Sequence, residues 1–116
     1  MGILCKTEQA VTEHKIAIGV ARFIKDKIGK GPSDVKVKIT ENIVICGIHG
    51  FMTKAEEMIV QSGCPEKIIG HRSLYKKQCF GEIEEIFIKA LDKKVNYFFD
   101  SYIPEDDMAC WTVFLD

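Results

Sequence analysis

The period of the hydrophobic pattern changes along the chain. From Thr7 to Ile28 it is helical: Ala10, Ala17, Ala21, Ile24 and Ile28 recur as one stripe, with no proline and one interior glycine, Gly19. Ile16, Val20 and Phe23 widen that stripe, while Val11 and Ile18 fall outside it. One sheet face rarely needs so broad an apolar surface, so a partner surface is expected to cover the excess. Gly29-Lys30-Gly31-Pro32 ends the helix: glycine suits the left-handed position after a helix, and proline beyond it blocks continuation. The same Gly-x-Gly-Pro loop lacks the Gly-Lys-Ser/Thr of a phosphate-binding loop and closes a helix instead of opening one.

The pattern then alternates. Val35, Val37 and Ile39 face one way and Lys36, Lys38 and Thr40 the other, as in a half-exposed strand with a lysine-protected edge. After a Glu41-Asn42 turn, Ile43 to Gly50 is apolar on both sides and reads as a more central strand, completing a hairpin. Cys46 and His49 are three apart on that strand. They therefore point to opposite faces and share a metal only if the strand breaks at Gly47. Thr53-Lys54-Ala55-Glu56 has the spacing of a capping box, so Thr53 and Glu56 open a short helix to Gln61. Pro65, in a first-turn position, opens further helix toward Asp92, continuous or broken near Gly70 or Gly81. Val95 to Ile103 and Met108 to Leu115 form a second hairpin across Pro104-Glu105-Asp106-Asp107. Both of its strands are apolar on both faces, and no segment remains to cover the second face. Self-association through the sheet or the first helix would cover it.

The order helix, hairpin, helices, hairpin predicts a two-layer α+β fold (α-ββ-αα-ββ), with helices on one face of a mostly antiparallel four-stranded sheet. At 116 residues the chain is the length of one domain.

Composition narrows the function classes. A net charge of −1 provides no general field for nucleic acid or an anionic membrane, so no nucleic-acid partner is expected. No apolar run approaches the roughly 18 residues of a membrane span, and the start, MGILCKTEQ, does not read as an export signal. Gly2 suits myristoylation, but Lys6 stands where that motif wants Ser or Thr. The cysteines (Cys5, Cys46, Cys64, Cys79 and Cys110) are odd in number and widely spaced, which fits reduced thiols in the cytoplasm.

Candidate chemistry is sparse. There is no Gly-x-Ser-x-Gly nucleophile elbow. Cys46, His49, Cys64, His71 and Cys79 are metal-capable, but their spacing matches no zinc finger or ribbon, and no cofactor is expected. Asp100, Glu105, Asp106 and Asp107 crowd the second hairpin, where a solvated acidic turn is far commoner than a cation site. Arg72 stands out because it falls on the apolar face of its helix. Burying a bare charge is very costly. It is therefore paired with an acid such as Asp100, or it receives an anion or partner, or a helix break exposes it.

The stretch IGKGPSDVKVKITENIVICGIHGFMTKAEEMIV, the Arg-bearing helix and the terminal VNYFFDSYIPEDDMACWTVFLD together resemble the MpsC-like domain family of bacteria. The matching residues here are Gly29, Gly31, Pro32, Thr53, Glu56, Arg72 and Asp100. The resemblance implies a link to membrane-potential-generating systems that move sodium or take up inorganic carbon. The combined expectation is a non-enzymatic, homodimeric, cytoplasmic accessory protein beside a membrane transport complex. The alternative expectations are a small-ligand or metal-binding protein using Arg72, His71 and the cysteines, and a thiol enzyme.

Overall fold

A 23-residue helix, α1 (Lys6–Ile28), lies against a four-stranded sheet in the computed structural model, which describes residues 5–116. Gly2 lies outside the described residues. Helix α1 ends where Gly29 turns left-handed at φ 95° and its N–H donates to the Lys25 carbonyl. Its buried centre is Ile16, Val20 and Ile24, one residue per turn, flanked by half-buried Ala17, Ala21 and Phe23. The alanine-based stripe is thus rotated: Ala10 is exposed, because the face that buries the largest side chains gains most, about 1.5–3 kcal/mol for each fully buried Ile or Val.

Strands β1 (Asp34–Thr40) and β2 (Ile43–His49) form the first hairpin. Three helices follow: α2 (Lys54–Gln61), α3 (Pro65–Gln78) and α4 (Phe80–Leu91). The break between α3 and α4 falls at Cys79, two residues before Gly81, whereas Gly70 lies uninterrupted inside α3. Strand β3 (Val95–Ile103), a single 3-10 turn over Pro104–Asp106, and β4 (Met108–Leu115) complete the chain.

All pairing in the sheet is antiparallel, in the order β1-β2-β4-β3. Strand β4 inserts between β2 and β3 and joins the two hairpins. Register fixes which residues share a face. The row Val37–Cys46–Trp111–Asp100 looks toward the helices, and so does Ile39–Val44–Val113–Phe98. The rows Lys38–Ile45–Thr112–Phe99 and Thr40–Ile43–Phe114–Tyr97 look away from them.

The breadth of α1 is partly used within the chain. Helix α4 packs on it at Gly19, where an added Cβ would come within 2.9 Å of Ile86 Cγ2. Val11 and Ile18 remain exposed. Among the described residues no helix is long and apolar enough to cross a membrane.

Candidate functional site

Helix α3 buries Ile68 and Arg72, four residues apart on one face. The guanidinium of Arg72 meets the carboxylate of Glu56 on α2 in a fork: Nε donates to Oε2 at 2.8 Å and Nη2 to Oε1 at 2.7 Å. Nη2 also donates to the Phe51 carbonyl, and Cζ lies 4.9 Å from the centroid of the Phe51 ring. Glu56 reaches further. Its Oε1 accepts the Thr53 N–H at 2.9 Å while Thr53 Oγ1 accepts the Glu56 N–H at 3.2 Å, so the capping box and the ion pair share one carboxylate.

Both charges are buried, which is tolerable because every contact is charge-assisted. Burial by itself would raise the Glu56 pKa. The Arg72 hydrogen bonds, the Thr53 backbone N–H and the Arg72 charge outweigh it, and the carboxyl ends below its ordinary range.

Arg72 is thus paired with an acid, and the acid is Glu56 in place of Asp100. Asp100 sits on β3, facing the helices, with its side chain 8% exposed. Its carboxylate accepts from Lys76 Nζ at 3.3 Å and from Tyr102 Oη at 3.1 Å. Lys76, one turn after Arg72 on α3, takes the sheet-side carboxylate, and Arg72 turns to α2. Arg72 and Asp100 do line one small cavity, of about 30 Å³, with Tyr102, Phe51 and Trp111. That volume holds a water molecule or two and no metabolite. Burial, and then the Asp100 charge, push the Tyr102 phenol well above its ordinary pKa.

The other candidates are scattered. His71, beside Arg72 in sequence, is exposed, and its ring meets that of Tyr75 edge-on, with centroids 5.6 Å apart. Cys46 is fully buried under the helices, and burial pushes its thiol pKa up to about 12. His49 is on the opposite sheet face, Cys64 precedes α3, and Cys79 lies between α3 and α4. Among the described residues no three His, Cys, Asp or Glu side chains gather to hold a metal.

The Gly29–Pro32 loop is tethered from within the chain: Lys30 Nζ donates to the Met52 carbonyl at 2.7 Å. In the acidic turn, Asp107 is a latch. Its Oδ1 accepts the Met52 N–H and its carbonyl accepts the Gly50 N–H, each at 2.9 Å. Its sequence context, one acid among several, carries no signal for that role.

Two further exposed features are apolar. On the sheet face away from the helices, Tyr97 is 64% exposed, Phe99 55%, Ile103 51% and Ile45 44%. Phe114 stands between Tyr97 and Phe99 with edge-to-face centroid distances of 6.4 and 5.9 Å. The α2–α3 pair exposes a second set, Met58, Ile69 and Leu74.

Residues 8–116 match the family described as the Na+-translocating membrane potential-generating system (MpsC). The chain belongs to the MpsC family. No curated protein and no solved structure matches it. The family match spans every feature above, from the α1 stripe to the Phe114 cluster.

Proposed function

We propose that this MpsC-family chain is a non-enzymatic, homodimeric accessory subunit of a membrane-potential-generating system, acting from the cytoplasmic side. The observation that carries the reading is the uncovered apolar sheet face around Phe99 and Phe114, in a chain of the MpsC family. An exposed aromatic patch rimmed by polar residues is the signature of a protein contact. Three of the candidate side chains fit the same reading, because they are committed to structure: Arg72 to Glu56, Asp100 to Lys76 and Tyr102, and Cys46 to the core. In this reading a second copy associates through the sheet, and the apolar face is offered to the membrane component. The apolar side chains Met58, Ile69 and Leu74 of α2 and α3 remain available to it as well.

The test is reconstitution of the membrane system of the same cell in liposomes, with and without this chain, read with a potential-sensitive dye. A sodium-dependent potential that needs the chain at one stoichiometric equivalent supports the role. An unchanged potential, with no co-purification from detergent, overturns it.

A further inference from the structure

The two edges of the sheet are finished differently. At the β1 edge the Ile39 N–H donates to Glu13 Oε2 at 2.9 Å, and the Ile39 carbonyl accepts from Gln9 Nε2 at 2.9 Å. Side chains of α1 thus occupy backbone groups that another strand would need, and exposed Lys36 and Lys38 add charge beside them.

The Ile39 bonds also set the hydrogen-bond phase of the whole sheet. The Ile39 N–H points away from β2, so Val37 and Ile39 turn their backbone groups outward, and Cys46 and Val44 opposite them turn theirs toward β4. Trp111 and Val113 answer them, so Cys110, Thr112 and Phe114 point to β3 and bond Ser101, Phe99 and Tyr97. The outward groups of β3 then belong to Phe98, Asp100 and Tyr102. A donor nearer the start of the strand, the Val95 N–H, is occupied by Glu84 Oε2 at 3.0 Å. For Phe98, Asp100 and Tyr102 no hydrogen bond from a described residue occupies the outward groups.

We infer that the outer edge of β3 pairs antiparallel with β3 of a second copy, joining two four-stranded sheets into one of eight strands. The inference rests on the dimer reading above and names its surface. Three observations select a second copy over another strand donor. A row of alternating donors and acceptors is complementary to itself in antiparallel pairing. With β1 occupied at Ile39 by side chains of α1 and flanked by Lys36 and Lys38, the β3 edge is the freer of the two, and an isologous contact between two such edges closes at two copies instead of growing into a fibre. The strand repels no copy of itself, because its one ionisable acid, Asp100, is held by Lys76.

A register centred on Phe99 sets Phe98 against Asp100 of the other strand and the two Phe99 rings against each other. It also keeps the two Asp100 side chains from standing directly opposite, which like charges disfavour. The joined sheets make one continuous aromatic face of Tyr97, Phe99 and Phe114 from each copy.

The experiment combines sedimentation equilibrium with residue-resolved amide hydrogen exchange on the full chain and two variants. Ile45→Lys places a charge in the middle of the open face, two strands from the β3 edge; Phe99→Lys places two lysines at the axis. Expected are a wild-type dimer, a dimer for Ile45→Lys and a folded monomer for Phe99→Lys. The amides of Phe98, Asp100 and Tyr102 should exchange slowly in both dimers and at least 100-fold faster in the monomer. A dimer in which those three amides exchange fast, or which Ile45→Lys dissociates, overturns the β3 edge and leaves the dimer reading intact. A monomeric wild type at micromolar concentration overturns both.

Discussion

Arg72 of α3 and Glu56 of α2 hold each other through two parallel hydrogen bonds of 2.8 and 2.7 Å, and the same carboxylate caps the helix it belongs to. Two of the three short helices are thereby locked at one point. The Phe51 carbonyl, in the segment leading from β2 to α2, is tied to that point as well.

Removal of either partner strands the other as a buried charge. Arg72→Met is expected to lower the unfolding free energy by about 3–5 kcal/mol. Glu56→Gln keeps a capping oxygen and is expected to cost less than Glu56→Ala, which also loses the box, worth about 1 kcal/mol. The double variant Glu56→Gln/Arg72→Met removes both charges and is expected to recover much of the Arg72→Met loss. A double-mutant cycle by urea denaturation, showing additive losses, would contradict the coupling.

Stability should follow pH in a defined direction. The folded Glu56 pKa is lowered, so the unfolded chain binds this proton more readily. The contribution is complete above the unfolded carboxyl value of about 4.3 and is lost as pH falls through the folded value. Unfolding free energy is expected to drop below about pH 4.3, and to drop less steeply in Glu56→Gln. Parallel acid limbs for the two proteins would mean that other carboxylates carry the dependence.

The sequence made the anomaly of Arg72 visible without making its partner visible. An arginine on an apolar stripe demands a counter-charge, which is a local inference. Glu56 looked already employed, since Thr53-x-x-Glu56 accounts for it as a cap, and nothing in a linear pattern says that one carboxylate serves two donors on two elements. Alternation likewise made each hairpin legible, and even the placement of Cys46 and His49 on opposite faces. The insertion of β4 between β2 and β3 is a long-range pairing that periodicity does not encode. The helix break at Cys79 was obscured by Gly70 and Gly81, which are the weaker helix formers but meet no crowding in the fold. The uncovered sheet face, by contrast, was readable as two apolar strand faces with too few segments to bury them.

Gly50 is held where three segments meet. Its φ is +67°, and an added Cβ would lie 2.8 Å from Ser33 Cβ and 3.1 Å from Ser33 N. Gly63 has φ +84° with nothing within 4 Å. Both alanine variants incur the left-handed penalty of about 1–2 kcal/mol, but Gly50→Ala adds a collision with backbone. Gly50→Ala should therefore destabilise more than Gly63→Ala in thermal melts, and Ser33→Gly should restore part of the difference. Equal losses would mean that the Ser33 loop yields freely.

The cysteines should separate by burial. The thiolate is the reactive form, and Cys46 is both enclosed and pushed up to a pKa of about 12 by that burial. Cys5, exposed ahead of α1, has no such shelter. Under native conditions at pH 8, iodoacetamide followed by peptide mass spectrometry is expected to label Cys5 first and Cys46 last, with Cys46 modified at the rate of global unfolding. Denaturant should abolish the order. Rapid native labelling of Cys46 would mean that the helices open from the sheet far more often than the buried row Val37–Cys46–Trp111 allows. It would also revive a thiol chemistry that the enclosed position of Cys46 argues against.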